Sequence, residues 1–286
     1  MKYFKDYKVI VCAKLYFCIV FTALLFLPVK DTFAALDEPI LPVPIAFDVD
    51  LKKVALGRML FNETLLSGDN TLSCASCHAI DNFGVDGLKK SIGVNGSEAS
   101  FNAPTVLNSR FNFAQFWDGR AHELHDQVSG PLISSIEMGS TWVEVEQKLS
   151  QSTFYAKKFD EIYEDGISAK NISDAITHYE MTLVTINSPF DQYLRGDIDA
   201  ITDQQKRGYK LFKDYGCIAC HQGVNVGGNL YQRMGALIPY FTDKDKENKN
   251  NRGLFNVTED ETDLFVFKVP SLRLVTHTAP YFHDGS

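Results

Sequence analysis

The chain has 286 residues, 45% of them hydrophobic and 22% charged, with a formal net charge of −8 at pH 7. That length allows one or two domains with a sizeable apolar core. The acidic balance argues against nucleic acid and against an anionic membrane surface as partners.

The first segment reads as a leader. MKYFKDYK is basic, LYFCIVFTALLFLPV is apolar, and Thr32-Phe33-Ala34 supplies a small-residue cleavage site, so residues 1–34 are expected to be an export signal. The apolar run is short for a spanning helix. The longer window 9–29 contains Lys14, which leaves an uncleaved anchor as the lesser alternative. Pro39, Pro42 and Pro44 then make an irregular entry. Leu51, Val54, Ala55, Met59 and Leu60 recur near helical spacing. The turn-rich SGDNTLS leads into CASCH at 74–78, and residues 81–105 are Gly-, Asn- and Ser-rich loop. Residues 141–165 and 173–186 read as helical, the second with Ile176, Tyr179, Leu183 and Ile186 on one face. NSPFDQYLRGD at 187–197 reads as a break and a domain junction. Thr202 with Gln205 forms a capping box, expected to open the helix that carries CIACH at 217–221. GVNVGGN is a further loop, and 242–251 is charged and exposed. Strand signals are sparse, so the expected class is all-α.

Cys-x-x-Cys-His is the attachment motif of c-type haem: two thiols form thioethers to the porphyrin and the histidine becomes the proximal iron ligand. The six cysteines divide without remainder. Cys12 and Cys18 lie in the leader, while Cys74, Cys77, Cys217 and Cys220 belong to the two motifs. No thiol is left for a disulfide or a zinc site. The reading is two covalently bound haem c groups, with His78 and His221 as iron ligands. The spacing suits two tandem cytochrome c-like haem domains, over 35–187 and 188–286. Covalent haem attachment occurs outside the bacterial cytoplasm, which agrees with export and places the chain in the periplasm.

Several further stretches lie in order along the chain: LGRMLFNETLLSGDNTLSCASCH, FNAPTVLN, QFWDGRA, DQVSGPL, IEMG, TLVTINSPFDQYLRGD, GCIACHQGVNVGGN and FKVPSLRLVTHTAPYFHDGS. Together they resemble the bacterial di-haem cytochrome c peroxidase family, its MauG-type relatives included. The resemblance implies reduction of hydrogen peroxide to water in the periplasm. The N-terminal haem would be the peroxidatic centre. The C-terminal haem would receive electrons from a small cytochrome c or copper protein, often within a homodimer. Glu137 aligns with the family's distal acid–base carboxylate, which moves a proton from the iron-bound to the leaving oxygen of peroxide. Gln127 aligns with a distal amide that orients peroxide or stabilises developing charge. Trp117 aligns with the tryptophan between the haems, with Phe116 as a packing wall beside it. Asn102, with the carbonyls of Thr278 and Pro280, aligns with a calcium site, for which oxygen-only ligands are suitable. On residue type alone, a Glu or Gln is a solvated surface group, a Trp is core, and TAPYF is an ordinary turn. His122, His125, His178 and His277 receive no metal role. His283 matches a motif position near the second haem without ligating it, and Met138 packs.

Two departures bear on function. Many family members carry a distal histidine after the first motif, which blocks the peroxidatic iron until the second haem is reduced. That position falls at about Val94, and no histidine occurs between His78 and His122. Valine cannot bind iron, so the first haem is expected to be open without reductive activation. His122 or His125 swinging in is the lesser alternative. The family also continues past YFHDGS, so the C-terminal haem domain reads as truncated. The sixth ligand of the second haem, methionine or (in MauG-type enzymes) tyrosine, is expected beyond residue 286. Met234 has no support for that role. The leading function is the peroxidase. A MauG-like oxidase that modifies a partner protein is the second reading. A non-enzymatic electron carrier is the third, and it would need six-coordinate irons and no distal acid.

Overall fold

In the computed structural model, which describes residues 38–286, the first helix begins where the Asp50 carboxylate accepts the N–H groups of Lys52 and Lys53. The leader expected at 1–34 lies outside the described residues. Helix α1 (Leu51–Phe61), expected from the helical spacing of its apolar residues, buries Leu56, Leu60 and Phe61, whereas Leu51 and Met59 are exposed. The first haem motif forms a single turn, α2 (Cys74–Cys77), entered through a Ser73–Ser76 capping box. Two short helices follow, α3 (Leu124–Gln127) and α4 (Ser129–Ile133).

The helical region expected at 141–165 is two helices, α5 (Trp142–Gln151) and α6 (Thr153–Asp160). Ser152 divides them: its extended backbone ends α5, and its side chain caps α6 by accepting Tyr155 N–H. Helix α7 (Ala169–Glu180) starts earlier than its apolar face predicts, because Ser168 caps it through Asn171 N–H. The expected break at 187–197 contains a helix, α8 (Pro189–Leu194). It opens on a reciprocal Ser188–Asp191 capping box with proline in its first turn. Helix α9 (Asp203–Asp214) has the expected Thr202–Gln205 box. It stops short of the second motif, which lies in a separate 3-10 turn (Cys217–Ala219) entered through Gly216 at φ 76°. The remaining elements are α10 (Phe255–Thr258) and two short antiparallel strands, β1 (Tyr231–Arg233) and β2 (Val266–Lys268), with Tyr231 opposite Lys268. The described fold is therefore helix-rich with little strand.

The larger core joins Leu56, Leu60 and Phe61 of α1 to Val145, Leu149, Phe159, Ile172 and Ile176. Helix α1 lies directly on α7: a Cβ at Gly57 would sit 1.8 Å from the Ala175 carbonyl oxygen. A smaller cluster gathers Ile40, Tyr209 and Val226, with Phe190 and Leu272 packed against it. The entry segment belongs to this second cluster, although in sequence it heads the first half. Leu41 N–H donates to Gly223 O at 3.3 Å, and Val43 N–H donates to the Asp191 carboxylate at 2.9 Å. Arg273 completes the junction, pairing with Asp191 at 3.0 Å and donating to the Leu41 carbonyl at 3.2 Å.

Candidate functional site

The two motif histidines are held in the same way. His78 Nδ1 lies 3.2 Å from Gly84 O, and His221 Nδ1 lies 3.3 Å from Val226 O. A ring nitrogen committed to a backbone carbonyl fixes the tautomer and leaves Nε2 as the free electron-pair donor, as iron ligation requires. Burial lowers the pKa of both rings, keeping them neutral. In each motif the histidine N–H also donates to the first cysteine's carbonyl, His78 to Cys74 at 3.0 Å and His221 to Cys217 at 2.9 Å. All four motif thiols are free. Cys74 and Cys77 share a cavity wall with His78; Cys220 shares another with His221, while Cys217 is exposed and outside that wall. Two separate cavities, each with an oriented histidine and at least one thiol, fit two covalently attached haems.

The two cavities differ in chemistry. Glu137 and Gln127 both line the cavity of His78, and no carboxylate among the described residues lines that of His221. Glu137 is placed by a tight turn after α4, closed by Glu137 N–H to Ser134 O at 3.0 Å and Met138 N–H to Pro131 O at 3.1 Å. Burial raises its carboxyl pKa, while the Arg120 charge and a Ser134 hydrogen bond oppose that shift. A loop clamps this turn from outside. Val94 N–H donates to the Glu137 carbonyl at 2.8 Å, and a Cβ at Gly93 would lie 2.0 Å from Ile136 O. Val94, at about the position expected for a distal histidine, is buried against Gly139. Among the described residues no histidine except His78 lines the first cavity; His122 and His125 line neither.

Trp117 lies in the partition between the cavities. It lines both, is buried, and donates its Nε1–H to Asn102 O at 2.9 Å. Asn102, Pro104, Thr105, Asn112 and Lys268 share that partition. Phe116 lines only the first cavity, with the Arg120 guanidinium 3.5 Å from its ring centre. Asn102, Thr278 and Pro280 all line the second cavity, and the Asn102 amide Nδ2 donates to Leu88 O at 3.0 Å. His178 lies 2.9 Å from Asp174 O, and His277 stacks on Phe83. His283 is held 2.9 Å from Asn251 Oδ1, outside both cavities. Met138 lines the first cavity and Met234 the second.

Three lining residues carried no role in the sequence reading. Arg120 acts on the Glu137 carboxyl as above. Glu180 is fully buried in the first cavity wall, with Oε2 unpartnered and its pKa pushed up to about 8 by burial. It lies one turn after Ile176, so a carboxylate in the row of an apolar helix face was the available signal. Lys268 lay inside the quoted FKVP stretch, but nothing local marks it as buried.

Comparison with known proteins gives the same picture. The family described as di-haem cytochrome c peroxidase matches residues 51–199. The chain is 48% identical over 250 residues to the cytochrome c peroxidase Ccp of Escherichia coli K12, covering 87% of this chain and 53% of that protein. It is 42% identical over 253 residues to the cytochrome c551 peroxidase of Nitrosomonas europaea, covering 88% and 74%. The chain thus spans about half the length of the first relative and about three-quarters of the second. A solved MauG-like protein associated with microbial copper homeostasis superposes with a TM-score of 0.67 at 31% identity, over 87% of this chain and 76% of that one. The chain belongs to the di-haem cytochrome c peroxidase family.

Proposed function

We propose that this chain reduces hydrogen peroxide to water in the periplasm, using electrons from a small cytochrome c or copper protein. The observation that carries this reading is the asymmetry of the cavities: Glu137 and Gln127 line the first, while no carboxylate among the described residues lines the second. Bound haem would supply the iron at which the O–O bond is cleaved and the electrons that complete the reduction. Cys74, Cys77 and His78 would hold the first haem, and Cys217, Cys220 and His221 the second. The N-terminal half, 35–187, would be the peroxidatic module and 188–286 the electron-transfer module.

The residues of the chain have distinct tasks. Glu137 accepts the proton of incoming peroxide and returns it to the leaving oxygen, for which a base within hydrogen-bond reach is needed. Gln127 holds peroxide through its amide and stabilises developing negative charge. The Arg120 charge opposes the rise that burial imposes on the Glu137 pKa and so favours the ionised form that a base requires. Trp117 supplies the aromatic route between the two cavities. Among the described residues no histidine besides His78 lines the first cavity, which supports a first centre that is open before any reduction. Asn102 and the carbonyls of Thr278 and Pro280 would hold calcium beside the second cavity.

The test is a donor count. Peroxide added to the full-length protein with a reduced small cytochrome c should oxidise two donor molecules per peroxide. The open first centre also favours the second reading, a MauG-like oxidase. Negligible donor oxidation, together with covalent change in a partner protein, would establish that reading instead. A spectrum in which both irons are low-spin and unresponsive to peroxide would leave only an electron carrier.

A further inference from the structure

Lys268 is the last residue of β2, and its backbone N–H donates to Trp117 O at 2.9 Å, which fixes it in the partition. It is only 7% exposed, and the residue lines both cavities. No hydrogen bond or ion pair is made by its ammonium among the described residues, although other lysines, such as Lys53 and Lys148, have carboxylate partners. Burial pushes its pKa down to about 8. An unpaired buried cation is strongly unfavourable, and proteins normally retain one only opposite an anion. The described residues do not provide that anion. None of their carboxylates lines the second cavity, and Glu137 and Glu180 of the first make no ion pair with Lys268. The remaining anions are those that enter with the cofactors, since each haem carries two propionate carboxylates.

We infer that Lys268 is a counter-ion shared by the two haems, pairing at the partition with a propionate of each beside Trp117. This inference rests on the di-haem reading above. A cation near the porphyrins favours the reduced, less positive state of each iron, so Lys268 raises both reduction potentials. It also offsets the repulsion between carboxylates that converge on one wall, and so holds the haem edges against the tryptophan.

The test is spectro-electrochemical titration of the full-length, haem-loaded protein and its variants. Lys268→Met should shift the midpoint potentials of both haems downward, and Lys268→Arg should keep them close to the parent values. Should Lys268→Met not fold, Lys268→Gln reads the same loss of charge while keeping a polar side chain. Unchanged potentials in the neutral variants would overturn the proposal, and a shift in one haem alone would overturn the shared role. A haem count below two per chain in the parent protein would instead defeat the di-haem reading, and is measured separately by the pyridine haemochrome.

Discussion

Glu137 and Glu180 line the same cavity, and the wall around each assigns it a different task. Glu137 is partly open and faces Arg120, so burial raises its pKa only against opposition. In its proposed role as the base that takes the peroxide proton, Glu137 must be ionised, so the rate is expected to rise as pH climbs through its pKa, which lies above the ordinary value of 4.5. Glu137→Gln should lower kcat/KM by roughly 10²–10⁴-fold and abolish that acid limb; a pH–rate profile of both proteins checks it. Glu180 has no opposing charge and stays protonated to about pH 8, whereas in an unfolded chain it ionises near 4.5. The folded state then holds a proton that the unfolded state has released, so stability falls as pH rises between these values. Glu180→Gln should flatten that slope and raise stability at pH 7 by on the order of a few kcal/mol, measured by denaturant unfolding across the pH range. Neither environment was legible in sequence. Both are set by cavity walls built from α3, α4, α7 and the loops between them.

At the scale of elements, close backbone approaches position the cavities. Gly57 brings α1 onto α7, whose residues Ile176 and Glu180 face the first cavity. Gly57→Ala should cost about 1–3 kcal/mol through overpacking, read as a lowered Tm and as a perturbed haem spectrum. Elements with strong local signals were legible. The haem motifs, the Thr202–Gln205 box and the loop nature of 81–105 follow from side chains adjacent in sequence. Helix α8 was not, because Pro189 reads as a breaker unless Ser188 and Asp191 are recognised as a box that makes proline favourable at a helix start. The helical spacing of α1 did not reveal which apolar residues it buries: Leu56 and Leu60 are covered, while Leu51 and Met59 are exposed, since several apolar residues on a short helix allow more than one face. Strands β1 and β2 span three residues each, too short for an alternating pattern to register.

Across the whole molecule, long-range ties hold the second cavity. Asp191 and Arg273 are both buried, and they join α8, the entry segment and, through the Val224 carbonyl, the loop after the second motif. Arg273→Met would leave the Asp191 carboxylate uncompensated, with an expected loss of about 3–5 kcal/mol and a second haem that is perturbed before the first; thermal melts monitored at each haem's absorbance decide this. Ties of this span carry no local signature, which is why the entry segment's place was not readable. We propose that the first centre is open in the fully oxidised protein, since the position expected for a blocking histidine falls at about Val94 and no histidine among the described residues except His78 lines the first cavity. The most direct measurement is stopped-flow oxidation of a reduced small cytochrome c by peroxide, comparing fully oxidised protein with protein whose second haem is already reduced. The same initial rate is expected from both, with no lag. Turnover that begins only after reduction would contradict it.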